Sequence, residues 1–209
     1  MKLLTIGDSI TKGTFTELGD KSPNSVAMPN FSQILKEKLG FSELYLNGTN
    51  GVSVSRTSWQ LPEHAISLTV KNSPNADVVL VCAGTNDYGT DVELGSRKDK
   101  EDVSFYGGLS VLYTYLKENF IGSKIFVVSP INRENDSKNK KGYTLNDYRS
   151  AVKIRAEEFG FYFIDGSGLK IYPKIQADKE LFMPDGLHPN QAGHYLYANF
   201  LLENIRGKI

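Results

Sequence analysis

The 209-residue chain has a single cysteine, Cys82, which excludes an internal disulfide and a cysteine-only metal site. Its three histidines are widely spaced and no His-Glu-x-x-His occurs, so no ligand cluster for a metal is visible. Net charge is also missing. With 24 Lys and Arg against 24 Asp and Glu, the chain lacks the basic surplus that a nucleic-acid partner attracts. No apolar run approaches the roughly 18–20 residues of a membrane span. The start, Met1 to Gly7, is interrupted by Asp8 and Ser9 before it reaches the roughly 7–15-residue apolar stretch of a signal peptide. Together these absences predict a cytoplasmic protein with neither nucleic acid nor membrane as partner. The Asn-x-Ser/Thr triplets at Asn30, Asn47 and Asn135 then read as chance matches, not glycosylation sites.

What is present is the composition of an ordinary globular protein, 40% hydrophobic and 23% charged. The length suits one domain over 1–209, and no linker, repeat or low-complexity tract divides it. Strands are predicted at Lys2–Ile6, Glu43–Leu46, Asp77–Ala83, Lys124–Ser129 and Phe161–Ile164. Val78 to Ala83 is a continuous run rich in β-branched residues, the pattern of a strand buried on both faces. Cys82 lies inside it and is expected in the core.

Helices are expected near 30–39, 60–72, 105–119, 143–159 and 190–206. In the fourth, Tyr148, Val152, Arg155, Ala156 and Phe159 recur at helical spacing. In the fifth, Leu196, Phe200, Leu201 and Ile205 share a face behind a capping Asn190. Alternating strand and helix implies right-handed βαβ crossovers. The expected fold is α/β, a three-layer αβα sandwich around a five-stranded parallel flavodoxin-like sheet.

Ligands in such folds bind beyond the carboxyl ends of the strands. Gly7-Asp8-Ser9 follows the first strand and could expose a serine nucleophile, although Asp or Ser there is also an ordinary cap. Asn47 to Ser53 follows the second, with Gly51 able to bring a backbone N–H close to a ligand or simply to make a turn. Gly84-Thr85-Asn86-Asp87 follows the third, where the Asn86 amide could donate to an oxyanion or bond its own backbone. Asp185-Gly186-Leu187-His188 precedes the last helix, and a carboxylate three residues before a histidine can orient its ring. His64 and His194 fall in expected helices and read as structural or surface residues. Polar stretches 88–104 and 130–142 read as solvated loops placed where they could also contact a substrate.

Each signal alone is weak, but the four occur in order. Jointly they resemble the SGNH subgroup of GDSL-type hydrolases over essentially the whole chain: Gly7-Asp8-Ser9, Gly51, Gly84-Thr85-Asn86-Asp87 and Asp185-x-x-His188 match its four blocks. Ile10 stands where the first block ends in Leu, and Val54 departs from the small residue common in the second. The resemblance implies ester hydrolysis through a Ser9 acyl-enzyme, with His188 as base and Asp185 orienting it. It implies an oxyanion hole made by the N–H groups of Ser9 and Gly51 and the Asn86 amide. Asp8 and Asp87 would be supporting or turn residues, and no cofactor would be needed. The Gly-x-Ser-x-Gly elbow is absent around Ser9, which argues against the larger α/β-hydrolase fold.

The polar loops argue for a short acyl group on a polar carrier, such as an O-acetylated carbohydrate. Trp59, Tyr88, Tyr106 and Tyr143 could offer it flat faces, although aromatics near a cleft more often serve packing. Thioester or lysophospholipid hydrolysis and O-acetyl transfer fit the same chemistry. A flavodoxin-like binding domain with no catalysis is the reading from another class.

Overall fold

The computed structural model describes residues 1–20, 22–56 and 65–209. Five strands form one parallel sheet: β1 (Lys2–Gly7), β4 (Glu43–Gly48), β5 (Val78–Cys82), β6 (Lys124–Val128) and β7 (Tyr162–Ile164). Between the first two lies a small antiparallel pair, β2 (Thr14–Phe15) with β3 (Ser25–Val26). The helices are α1 (Ser9–Lys12), α2 (Phe31–Leu39), α3 (Ile66–Thr69), α4 (Thr85–Gly89), α5 (Phe105–Asn119), α6 (Leu145–Phe159), α7 (Gln176–Phe182) and α8 (Gln191–Ile205).

Alternate side chains of a strand face opposite sides of its sheet. Leu3, Val78, Leu80, Cys82, Phe126 and Val128 therefore pack together on one face, against Phe31, Ile34 and Leu35 of α2 and Tyr197, Ala198 and Leu201 of α8. Leu4, Ile6, Val79, Val81, Ile125 and Val127 face the other way, onto Leu109, Leu112 and Leu116 of α5 and Tyr148, Val152 and Ala156 of α6. Each such side chain contributes about 1.5–3 kcal/mol by leaving water. Two apolar layers on one sheet make the expected three-layer α/β/α sandwich.

The strand order is β4-β1-β5-β6-β7, so the winding direction reverses beside β1. At that reversal the chain leaves β1 toward one side and β5 toward the other, which opens a crevice above their carboxyl ends. Both edges of the crevice carry candidate residues, Ser9 after β1 and Asn86 after β5.

The expected strands agree with the observed ones to within one or two residues. Helix boundaries follow their caps. Asn30 caps α2 by accepting from the N–H groups of Ser32 and Gln33, while the Gln33 side chain returns to the Asn30 N–H. Asn30 is fully buried in this role, so its Asn-x-Ser triplet is closed to glycosylation. Thr144 caps α6, which places Tyr143 just outside the helix expected from 143. The α8 face that is fully buried runs through His194, Tyr197, Ala198, Leu201 and Ile205, with Leu196 and Phe200 at its margin. Of the helix expected over 60–72, α3 accounts for Ile66–Thr69; residues 57–64, with Trp59 and His64, lie outside the described residues.

The stretch 88–104 is more than solvated loop. It begins inside α4 and buries Tyr88, Val92 and Ser104. Arg155, fully buried on α6, holds it from below by donating to the carbonyls of Asp99 (3.0 Å) and Tyr106 (3.3 Å) while pairing with Glu158 (2.6 Å). Among the described residues, no helix is long and apolar enough to cross a membrane.

Candidate active site

Gly7 closes β1 where no side chain fits: a Cβ there would lie 2.1 Å from Thr11 Oγ1 and 2.4 Å from the Cys82 carbonyl oxygen. Asp8 then turns the chain into α1, its Oδ1 accepting from the Ile10 N–H at 2.9 Å. Ser9 is thus the first residue of a short helix at the crevice floor. Its Oγ lies 2.9 Å from His188 Nε2, although 179 residues separate the two.

His188 Nδ1 lies 2.7 Å from Asp185 Oδ2. The intervening turn uses Gly186 at φ +74°, and the Asp185 Oδ1 accepts from the N–H groups of Leu187 and His188 at 2.9 and 2.8 Å. Buried Thr16 donates its hydroxyl to Asp185 Oδ2 at 2.8 Å, so that one oxygen serves both the imidazole and a threonine. Burial alone would raise the Asp185 carboxyl, but hydrogen bonds from the His188 ring and backbone and from Leu187 hold it well below the usual carboxylate range. An ionised Asp185 fixes the proton on Nδ1 and leaves Nε2 free to accept the Ser9 proton.

Among the described residues, the Ser9 N–H, the Gly51 N–H and one hydrogen of the Asn86 amide, on loops that follow β1, β4 and β5, have no acceptor. Gly51 sits in the turn after β4 at φ +74°, and that turn is tied back to β1 by the Thr49 N–H on the Gly7 carbonyl (3.1 Å). The other Asn86 amide hydrogen is directed to the Val52 carbonyl at 2.7 Å. The Ser9–His188–Asp185 chain can carry a proton away from a hydroxyl.

Around it lie groups with displaced titration. Burial pushes Asp8 up to about 6, partly offset by the Ile10 N–H and by His188. Burial likewise raises Asp87 to about 6, against the N–H groups of Val54 and Ser55 that bond it. Asp8 caps α1, and Asp87 is a buried acceptor for the backbone of the distant 54–55 segment. Cys82 is buried in the core, its thiol pushed up to about 12 by loss of solvent. His194 is fully buried in α8.

The 130–142 stretch forms one wall. Its Arg133 donates from Nη1 to the Thr85 carbonyl and hydroxyl, both at 3.1 Å, and lies 5.2 Å from the Tyr88 ring centre. Burial lowers the Arg133 pKa, and its charge is felt by Asp8 and Asp185. The Glu134 N–H donates to the Gly186 carbonyl at 2.8 Å, which seats the wall against the Asp185–His188 turn. Thr16 and Arg133 have no sequence signal, because neither stands at a fixed spacing from a motif.

Of the four aromatics that could offer a sugar flat faces, the three among the described residues pack against other side chains. Tyr88 is buried edge-on to Tyr148, and buried Tyr106 lies beneath the Arg155 guanidinium, so neither has a free face. Tyr143 is half-buried and edge-on to Tyr148. A groove of about 610 Å³ lined by Lys2, Asp77 and Phe120 lies at the amino-terminal ends of the strands, away from this chemistry. Among the described residues, no group of three or more His, Cys, Asp or Glu could hold a metal ion.

Known proteins bear on this arrangement in two ways. The fold is similar to that of a Lactobacillus plantarum protein (25% identity, TM-score 0.85, 100% of this chain and 97% of the other). It is also similar to the M. smegmatis aryl esterase (19%, TM-score 0.69, 100% and 99%) and to a mutant of Axe2, an acetyl-xylooligosaccharide esterase from Geobacillus (22%, TM-score 0.65, 98% and 93%). No curated protein sequence matches the chain. The model of the GDSL-like Lipase/Acylhydrolase family matches residues 5–196. With that match spanning both ends of the crevice, from β1 into α8, the chain belongs to the GDSL-like lipase/acylhydrolase family.

Proposed function

We propose that the protein is a serine esterase that removes short acyl groups, acetyl above all, from a polar carrier such as a carbohydrate. The observation that carries this reading is the continuous chain Ser9 Oγ–His188 Nε2, His188 Nδ1–Asp185, at 2.9 and 2.7 Å. In it, Ser9 Oγ attacks the ester carbonyl as its proton passes to Nε2, and the carbonyl π electrons move to oxygen. The Ser9 and Gly51 N–H groups and the Asn86 amide receive that oxyanion; each such donor is worth about 3–4 kcal/mol in the transition state. Collapse expels the alcohol with the Nε2 proton and leaves an acyl-Ser9. Water then attacks, gives its proton to Nε2, and the carboxylic acid departs as Ser9 regains its hydrogen. Asp185 stabilises the imidazolium at both stages. Water and the ester suffice for the balance, so no cofactor enters.

A polar carrier is supported by the polar stretch 130–142, which is joined to the Asp185–His188 turn through the Glu134 N–H. Similarity to an acetyl-xylooligosaccharide esterase agrees with it. The substrate is a small ester, with no call on nucleic acid or membrane.

The test is a panel of p-nitrophenyl esters from acetate to long chains together with acetylated oligosaccharides, and labelling by a fluorophosphonate. Activity greatest on acetyl esters, labelling of Ser9, and a loss of about 10⁴-fold or more in Ser9→Ala are expected. Activity rising steeply with chain length would overturn the acetyl preference. An unlabelled Ser9 with no hydrolysis would mark a binding domain instead.

A further inference from the structure

Consecutive residues of α4 grip one buried segment of chain. The Asn86 amide holds the Val52 carbonyl at 2.7 Å, while Asp87 Oδ2 accepts from the Val54 N–H and Oδ1 from the Ser55 N–H, both at 2.9 Å. Residues 52–55 are almost wholly inaccessible, so their backbone groups need partners inside the protein. The opposite side of the segment is equally constrained. The Val54 carbonyl abuts Gly108 of α5, where a Cβ would come within 2.6 Å, and the Ser53 carbonyl accepts from the Ile66 N–H at 2.9 Å.

Two adjacent N–H donors aimed at one side chain require two acceptors with no donor between them. An ionised carboxylate is the one side chain that meets this requirement in both oxygens. The segment so held begins one residue after Gly51, whose N–H is an unspent donor. Resting on the reading of Ser9 as an ester-hydrolysing nucleophile, we propose that Asp87 is a positioning residue for the oxyanion hole. Its carboxylate sets residues 52–55 so that the Gly51 N–H and the Asn86 amide converge on one point. Asn86 and Asp87 are then two halves of one device. One supplies a donor and a strut to Val52; the other anchors the far end of the same segment.

The clamp works only while Asp87 is ionised, because a protonated oxygen presents a hydrogen to one of the two N–H groups. Burial brings that change to about pH 6, and the groups facing Asp87 are the Asp8 carboxylate and the neutral Tyr148 phenol of α6.

Asp87→Asn tests this, since it preserves shape but replaces one acceptor with a donor. With wild-type hydrolysis of p-nitrophenyl acetate and its loss in Ser9→Ala as reference, the variant should lose about 10²-fold in kcat with KM within about threefold. A folded Asp87→Asn with wild-type kcat overturns the proposal and leaves the esterase reading intact. Absence of Ser9-dependent hydrolysis in the wild type fails that reading instead. If the variant does not fold, NMR of the wild type decides. The Val54, Ser55 and Gly51 amides and the Asn86 side-chain amide should move together with one midpoint as Asp87 is protonated, with the Ile10 amide reporting Asp8 separately. Gly51 and Asn86 standing still while Val54 and Ser55 titrate would overturn the proposal.

Discussion

His194 offers a quantitative test of how this interior treats charge. The ring is wholly buried in α8, stacked on Phe31 at 5.8 Å between centres. Its Nδ1 accepts from the Phe31 N–H at 3.3 Å, and its Nε2 has no hydrogen-bond partner among the described residues. Loss of solvent, with a smaller push from His188, lowers its pKa from 6.5 to about 4. A depressed histidine stabilises the fold fully above the unfolded value of 6.5, and the contribution drains away as pH falls toward 4. Linkage between those two values gives a loss of about 2.5 kcal/mol on going from about pH 7.5 to about pH 4.5. Asp8 and Asp87, raised to about 6, act with the opposite sign over part of this range, so the wild-type profile alone does not isolate the ring. His194→Gln keeps an acceptor for Phe31 and cannot take up a proton. Urea unfolding of both proteins at both pH values, followed by circular dichroism, cancels the shared carboxylates. The wild type should lose about 2.5 kcal/mol more than the variant between the two conditions. A difference below about 1 kcal/mol would refute the claim that folding holds this ring neutral.

Two further predictions concern smaller groups. Thr16→Val removes a donor to Asp185 Oδ2 and should lower kcat on p-nitrophenyl acetate about tenfold, part of the roughly 1.5–3 kcal/mol of a bond to a charged group. Asp185→Asn, which loses the orienting charge itself, should cost about 10⁴-fold, and equal activity of Thr16→Val and wild type would show that the threonine only packs. With its thiol pushed up to about 12, Cys82 should react with a disulfide reagent at neutral pH about 10³-fold more slowly in the native protein than in urea. Comparable rates in the two states would place the thiol outside the core.

Much of the fold is legible in the sequence because buried parallel strands are written as unbroken apolar runs. Val78–Cys82 is buried at every position, and its ends follow where that run stops. The elements that escape sequence reading are α1, α4, α7 and the β2–β3 pair, all too short to display a period. Two of them, α1 and α4, carry candidate site residues. α1 exists because Asp8 caps it, and α4 aims Asn86 and Asp87 at a segment more than thirty residues away. The Asp185–His188 contact is legible because three residues of turn suffice to make it. The bonds from Thr16 to Asp185 and from Asp87 to Val54 join distant parts of the chain through single side chains, which leave no local pattern.

The 179-residue gap between Ser9 and His188 governs the order in which the molecule can become active. β1 occupies an interior position in the sheet, flanked by strands that begin at residues 43 and 78, so the nucleophile's own support is assembled from both sides. His188, the proposed base, lies late in the chain on a turn held by Thr16 and joined to the 130–142 stretch. A growing chain that has not yet delivered residue 188 can build most of the sheet, but its serine has no acceptor for its proton. Long-range closure of this kind is slow compared with local helix formation. Under the proposed reading, recovery of ester hydrolysis on refolding requires the Asp185–His188 turn to dock beside Ser9.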